Sequence, residues 1–196
     1  ESSEELMEKY FAGEEFTTEE IQAALRVNIK DCSIAPILMG SGIHVQGFNV
    51  LLQVIDKYFP SPKELEAIGV DASNGEHFTA HYNDAATLSA RVWKTIADPF
   101  LGKYSLFKVC TGVLKPNSEI YNVNKEATEK VGKLYVLRGN TPIEVSELKS
   151  GDLGAVAKLG LTETGDSIAV RNAPILYHAP KLSIPYTYMD YSAENK

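Results

Sequence analysis

The sequence is poor in the residues that build disulfides, metal centres and membrane spans. It has two cysteines and four histidines among 196 residues, and its apolar runs have the length of a strand rather than of a membrane helix. Cys32 and Cys110 lie far apart in the sequence, and neither has a cysteine or histidine at metal-binding spacing. We therefore predict two reduced thiols, no membrane partner and a cytoplasmic location.

Positive charge is also scarce. The chain has 19 lysine and arginine residues against 26 aspartate and glutamate residues, which gives a net charge of −7. This balance argues against binding nucleic acid by overall charge, so we expect no DNA partner, and any RNA contact must be a local patch. The apolar content of 44% is enough for packed cores in one to two folding units. We expect the chain to be a monomer.

No catalytic set can be recognised in the sequence. There is no phosphate-binding Gly-x-x-x-x-Gly-Lys segment and no ordered nucleophile, base and acid. His77 and His81 have the i, i+4 spacing of metal ligands, but their segment has no helical pattern. We therefore favour solvated loop histidines over a metal site, and we predict no catalytic and no metal-binding residue.

The first 60 residues have the pattern of helices with a single buried strand. Ser2 with Glu5, and Thr17 with Glu20, have capping-box spacing, and apolar residues follow each pair at helical period. Residues 34–39 form a continuous apolar run, which is typical of a strand in a parallel sheet. These features predict the C-terminal part of an α/β nucleotide-binding domain.

Residues 48–59 and residues 61–85 differ in the spacing of their apolar side chains. Residues 48–59 repeat apolar side chains at helical spacing until Pro60 and Pro62 end the pattern. In residues 61–85 turn residues and scattered charges replace this periodicity, and we predict a linker with some local structure there.

Beyond residue 85 the sequence is dense in short β-type runs separated by turn residues. This spacing favours a small all-β barrel over residues 86–180, with residues 181–196 as the start of a third domain or a tail. Another strand is expected to begin at residues 183–188. The predicted barrel strands cover residues 87–96, 103–111, 119–122, 133–138, 153–159 and 168–170.

Several of these segments, in this order, resemble translational GTPases, and elongation factor G more than elongation factor Tu. The apolar run that ends in Gly40-Ser41-Gly42 is similar to the last guanine-nucleotide motif of that family. The second-domain β-barrel of the family is matched by residues 90–103, 111–122, 132–135, 150–156 and 164–168. The resemblance implies a fragment that holds the end of a GTP-binding domain followed by the second-domain barrel.

Membership of this family would imply a GTP- and Mg²⁺-dependent protein that acts on the ribosome in translocation or a related step. Ser41 would shape a loop in which the N–H of Gly42, where alanine is usual, contacts the guanine O6. Because the phosphate, switch and Asn-Lys-x-Asp motifs lie outside these residues, the fragment should neither hydrolyse GTP nor bind it measurably. Whether the chain is an enzyme therefore stays open.

Two alternatives remain at this stage. Within the family, a ribosome protection protein or a release-factor GTPase would carry a similar barrel. Outside it, the barrel could be a non-catalytic module that binds ribosomal RNA or a protein. Phosphate contacts would then come from Lys94, Lys103, Lys108 and Lys115, against the simpler interpretation of a solvated lysine face.

Overall fold

The computed structural model describes residues 3–98, 102–139, 141–179 and 186–190. The chain divides into two compact units, Glu1–Leu65 and Glu66–Lys196. Each unit has its own local organisation and is described separately.

The described part of the first unit is helical. It contains α1 (Glu4–Phe11), α2 (Thr18–Lys30), α3 (Phe48–Tyr58) and a 3₁₀ turn (Pro62–Glu64). The capping box before α2 is confirmed, because the Glu20 N–H donates to Thr17 Oγ1 at 3.2 Å and the Thr17 N–H donates to Glu20 Oε2 at 2.8 Å. The box predicted at Ser2 is wrong: Ser3 caps α1, accepting the Leu6 N–H at 3.2 Å.

The strand predicted for residues 34–39 does not form. These residues have no regular secondary structure, and the side chains of Ile37 and Met39 are 91% and 93% exposed. A parallel strand is held by hydrogen bonds to neighbouring strands, and the described residues of this unit supply none. The first unit is therefore a set of helices rather than a helix and strand layer.

The helices of the first unit are amphipathic, but none of their residues is buried. Apolar side chains of α1 and α2 line an open groove of about 730 Å³. Helices of this kind usually derive their stability from packing that apolar face against a partner layer. The described residues of the unit do not complete such a layer.

The second unit is built from antiparallel strands. The strands are β1 (Glu66–Asp71), β2 (His77–His81), β3 (Ser89–Asp98), β4 (Gly102–Thr111), β5 (Glu119–Asn122), β6 (Ala127–Lys130), β7 (Leu134–Arg138), β8 (Thr141–Val145), β9 (Leu153–Ala157), β10 (Ser167–Ala169) and β11 (Ile175–Tyr177). An eight-stranded sheet has the order β6-β5-β10-β3-β4-β9-β7-β8, and a three-stranded sheet has the order β11-β1-β2.

The eight-stranded sheet curls around one apolar core and forms the small β-barrel predicted from the sequence. Side chains from the ends and the centre of the sheet, such as Ile120, Phe107 and Leu134, belong to the same buried cluster. A second cluster, which contains Cys110 and Tyr177, packs the three-stranded sheet against strand β4. Central strand β4 is therefore covered on both faces, as its burial pattern shows.

The segment predicted as a linker with some local structure contains a regular hairpin. Residues 66–81 form the β1–β2 hairpin, in which Glu66 pairs with His81 and Val70 with His77. Strand β11 then adds to β1 from the far end of the unit. On a strand the i, i+4 spacing separates His77 and His81 by about 13 Å, which is too far for one metal ion. The domain bounds themselves stay a prediction.

The predicted barrel strands are present with ends shifted by one or two residues, and the run at 119–122 matches β5. The sequence did not indicate β6 and β8, which are the edges of the eight-stranded sheet. Both have weak β-patterns: β6 reads Ala-Thr-Glu-Lys, and Pro142 lies in β8, where a missing N–H is tolerated at an edge. The turn at residues 99–101 lies outside the described residues, as do residues 183–185 of the predicted final strand and most of the predicted third-domain start. Residues 186–188 of that predicted strand have no regular secondary structure.

Candidate functional site

The loop that the sequence assigned to guanine recognition is a closed turn. Ser41 and Gln46 form an antiparallel bridge, with N–H to O distances of 3.0 and 3.1 Å, and Ser41 Oγ accepts the His44 N–H at 3.2 Å. Gly47 has a φ of +82°, and a Cβ there would lie 2.7 Å from the Met39 carbonyl oxygen. The loop thus needs glycine at its exit, and Ser41 fixes its shape.

Gly42 lies at the tip of this turn. A Cβ at this position would have no heavy atom within 4 Å, and Gly42 is not among the residues with positive φ. An alanine would therefore fit the same backbone. We infer that glycine in place of the usual alanine does not change the direction of the N–H at position 42. Contact between that N–H and a guanine base stays a prediction.

The four lysines predicted to contact RNA have different environments. Lys103 is half-buried, and its Nζ donates to the Thr162 carbonyl at 2.8 Å, so its charge holds the 160–162 loop. The Lys108 ammonium lies 5.4 Å from the ring centroid of Tyr82, in a cation–π contact. Lys94 and Lys115 are exposed, and within the described residues their side chains have no hydrogen bond or ion pair.

A carboxylate network fixes the 158–166 loop. Glu129 Oε2 accepts the Thr162 hydroxyl at 2.5 Å and the Thr162 N–H at 3.0 Å, and Glu129 Oε1 accepts the Leu161 N–H at 3.0 Å. Burial by itself would raise the pKa of Glu129, but these hydrogen bonds to its ionised form lower that pKa overall. Asp166 is buried too, and its Oδ2 accepts the Asn122 Nδ2–H at 2.8 Å.

A buried hydroxyl network joins β3, β4 and β11. Ser89 Oγ lies 2.5 Å from Thr111 Oγ1 and 2.6 Å from the Tyr177 hydroxyl. Burial raises the pKa of Tyr177 and also that of the neighbouring Cys110 thiol. These groups are therefore neutral at physiological pH, and Cys110 is a structural thiol rather than a reactive one.

The barrel also has a cleft that was not predicted from the sequence. It has a volume of about 340 Å³ and lies beside β3, where the 164–165 turn meets the end of β11. We call it the β3 cleft. Its lining includes Arg91, Trp93, Thr164, Gly165 and His178.

One local pattern could have indicated the β3 cleft. Trp93 is the single tryptophan of the chain, and it lies between Arg91 and Lys94. An aromatic residue flanked by basic residues is the pattern expected of a surface that stacks on nucleobases. The third contributor, His178, is distant in sequence, so no spacing could place it there.

Comparison with known proteins supports the translation-factor character of the barrel. Residues 87–171 match the family model described as elongation factor G domain 2. A crystal structure of a protein from Thermus thermophilus is similar at a TM-score of 0.63 and 27% sequence identity, over 88% of this chain. This chain spans 23% of that protein.

The family match supports a translation-factor second domain in residues 87–171. In the part of the chain that the structure describes, no helix has the length and apolar character that crossing a membrane would require.

Proposed function

We propose that this chain is part of an elongation factor G-like translational GTPase that acts on the ribosome in translocation or a related step. Within that protein, the β-barrel would serve as a scaffold and as a docking surface for ribosomal RNA and ribosomal proteins. The observation that carries the proposal is the position of the family match. Residues 87–171 include β3 to β10, which are all the strands of the eight-stranded sheet.

The first unit supports a place in a larger nucleotide-binding domain. Its helices expose apolar faces that would pack against a sheet, and the 40–47 turn has a backbone N–H at Gly42 directed by a fixed loop. In the proposed protein this turn would contact the guanine of GTP, while Mg²⁺ would lie with the phosphates on segments outside this chain. Such a factor would work in the cytosol.

Ribosome co-sedimentation of the full chain tests the docking role. Because exposed lysines would pair with RNA phosphates, we expect binding at low salt that falls as the salt concentration rises. Replacing Lys94 and Lys115 together by glutamate should abolish the salt-sensitive part. The matched control reverses two exposed charges on other strands, Lys130→Glu with Arg138→Glu, and should retain it.

Two results of the sedimentation experiment would contradict the proposal. Absence of binding at every salt concentration would overturn the docking role. Equal losses in the lysine variant and its control would mean that overall charge, not these positions, governs the contact.

Calorimetry with GTP tests whether this chain by itself binds the nucleotide. We expect no measurable binding to this chain, because the phosphate-binding segments contribute most of the contacts to a nucleotide. Micromolar affinity for GTP would contradict the scaffold role and place a complete nucleotide site within these residues.

A further inference from the structure

The β3 cleft combines an exposed aromatic ring with an arginine guanidinium and a histidine imidazole, both of which can donate hydrogen bonds to a phosphate. We propose that it binds an unpaired RNA nucleotide, with the base stacked on Trp93 and the phosphate held by Arg91 and His178. This inference rests on the proposed function, since it identifies a strand of RNA as a partner of the same barrel. The volume of about 340 Å³ is at the small end of the range for ligand sites, which suits one nucleotide.

A β-bulge directs the tryptophan into the cleft. The pairing register of β3 with β4 shifts between Val92 and Lys94, so Trp93 has no partner on β4. Bulges of this kind reorient a side chain relative to the sheet. As a result the indole is 45% exposed beside the cleft instead of packed on the barrel.

The backbone directly before the bulge is held firmly at Val92. The Val92 N–H donates to the Asp166 carbonyl and the Gly165 N–H donates to the Val92 carbonyl, each at 2.8 Å. The hydroxyls of Thr95 and Thr164 lie 2.9 Å apart on the same wall. A rigid aromatic surface loses little conformational entropy on binding, which favours stacking of a flexible strand.

The charges around the cleft favour an anion. Arg91 and His178 are exposed, and within the described residues neither side chain has a hydrogen bond or an ion pair. The two acidic residues that flank the 164–165 turn in sequence are engaged elsewhere: Asp166 is buried against Asn122, and Glu163 forms a 2.7 Å ion pair with Lys125. The cleft is therefore locally cationic although the whole chain is acidic.

RNA explains this combination better than a protein partner does. An apolar or proline-rich peptide would use the indole but would leave the guanidinium without a partner. An unpaired nucleotide uses both, because the base has a π-face and the phosphate accepts charged hydrogen bonds. Base-paired RNA or DNA would not fit, since its bases are already stacked.

Trp93 makes the inference directly measurable. As the single tryptophan of the chain, it reports on this cleft alone, so its fluorescence can be followed while the full chain is titrated with a single-stranded RNA decamer. We expect saturable quenching by the decamer and much weaker binding by a DNA duplex of equal length. Quenching by adenosine monophosphate as strong as that by the decamer would indicate a free nucleotide site and would contradict the RNA strand.

Variants separate stacking and charge from general effects. With a fluorescently labelled decamer, Trp93→Ala should weaken binding roughly 5- to 100-fold, since one stacked base is lost, and Trp93→Phe should restore part of it. Arg91→Ala should weaken binding about tenfold. The matched control Arg138→Ala, on β7, should leave the affinity unchanged, and thermal melts of all variants should coincide with that of the parent chain.

The same variants distinguish failure of this inference from failure of the proposed function. If the parent chain sediments with ribosomes but the RNA decamer causes no quenching, or if Arg91→Ala and Arg138→Ala behave alike, the cleft assignment is wrong and the docking role stands. If the decamer binds at Trp93 but the chain does not sediment with ribosomes, the nucleotide site stands and the proposed function is wrong.

Discussion

Gly154→Ala should destabilise the barrel, even though a glycine in a strand is normally improved by alanine. Gly154 pairs with Phe107 between β9 and β4, and the space beside it is filled by Leu148. An added Cβ would overlap both methyl carbons of Leu148, one of them at 2.6 Å, and would lie 2.9 Å from its Cγ. Leu148 is only 1% exposed and belongs to the main core cluster, so its whole isobutyl group must move into occupied space.

Two opposing effects set the magnitude. Overpacking a well-filled core costs about 1–3 kcal/mol. Replacing a strand glycine returns about 0.5–1 kcal/mol through the lower backbone entropy of the unfolded chain. The net loss should be about 1 kcal/mol, between extremes of roughly 0 and 2.5 kcal/mol, and about 1 kcal/mol corresponds to a decrease of several degrees in Tm for a domain of this size.

Urea unfolding followed by Trp93 fluorescence is a suitable assay, since the single tryptophan of the chain lies in the barrel. The control is Gly132→Ala, where a Cβ would meet no atom within 4 Å, and stability should stay the same or rise by up to about 1 kcal/mol. Adding Leu148→Ala to the Gly154 variant should relieve the overlap. The free energy of unfolding lost by the double variant should therefore be smaller than the sum of the two single losses, by about 1 kcal/mol or more. Gly154→Ala as stable as Gly132→Ala would refute the steric argument.

Two further predictions concern the 158–166 loop. Because hydrogen bonding lowers the pKa of Glu129 in the folded barrel, its stabilisation is fully present above the unfolded value near 4.5 and is lost as the pH falls through the folded pKa. Glu129→Gln should therefore be about 1–2 kcal/mol less stable than the parent chain at pH 7. Urea melts across pH should show that this difference in stability shrinks below about pH 4. A difference that is constant with pH would contradict the argument. Lys103→Met should lower the thermal stability by about 1 kcal/mol because the Thr162 carbonyl loses a charged donor, whereas the exposed control Lys94→Met should leave the melt unchanged; equal melts would show that Lys103 does not hold the loop.

Local patterns were sufficient for the elements whose stability is local. The capping box at Thr17 predicted the start of α2, because the reciprocal hydrogen bonds involve only residues three apart. The apolar repeat at residues 48–59 likewise predicted α3. The apolar run at residues 34–39 wrongly predicted a strand, since such a run becomes a strand only where neighbouring strands pair with it.

The β1–β2 hairpin was missed although its turn contains the pair Asn74-Gly75. Gly75 has a φ of +77°, as tight hairpin turns require, so a sequence feature for the turn was present. The flanking strands are short, and they are stabilised by β11, about a hundred residues later in the chain. Pairing over such a separation leaves no periodic pattern in either segment.

For the candidate sites too, local motifs predicted some features and left others undecided. The order of turn motifs in residues 90–168 resembled one family, and the match of residues 87–171 to elongation factor G domain 2 agrees with it. Which lysines are accessible could not be predicted, because Lys103 and Lys94 have the same exposed-strand pattern. Only the position of the 160–162 carbonyls distinguishes them.

Helix caps, turns and strand patterns act between residues close in the chain, so the types of element and the kind of barrel could be predicted from the sequence. Which residues those elements bring together depends on the tertiary structure. Trp93 and Arg91 are neighbours in sequence, but the β3 cleft exists because β10 pairs with β3 and β11 carries His178 to the same wall. Such contacts are set by packing and by the curvature of the sheet, which no local pattern specifies.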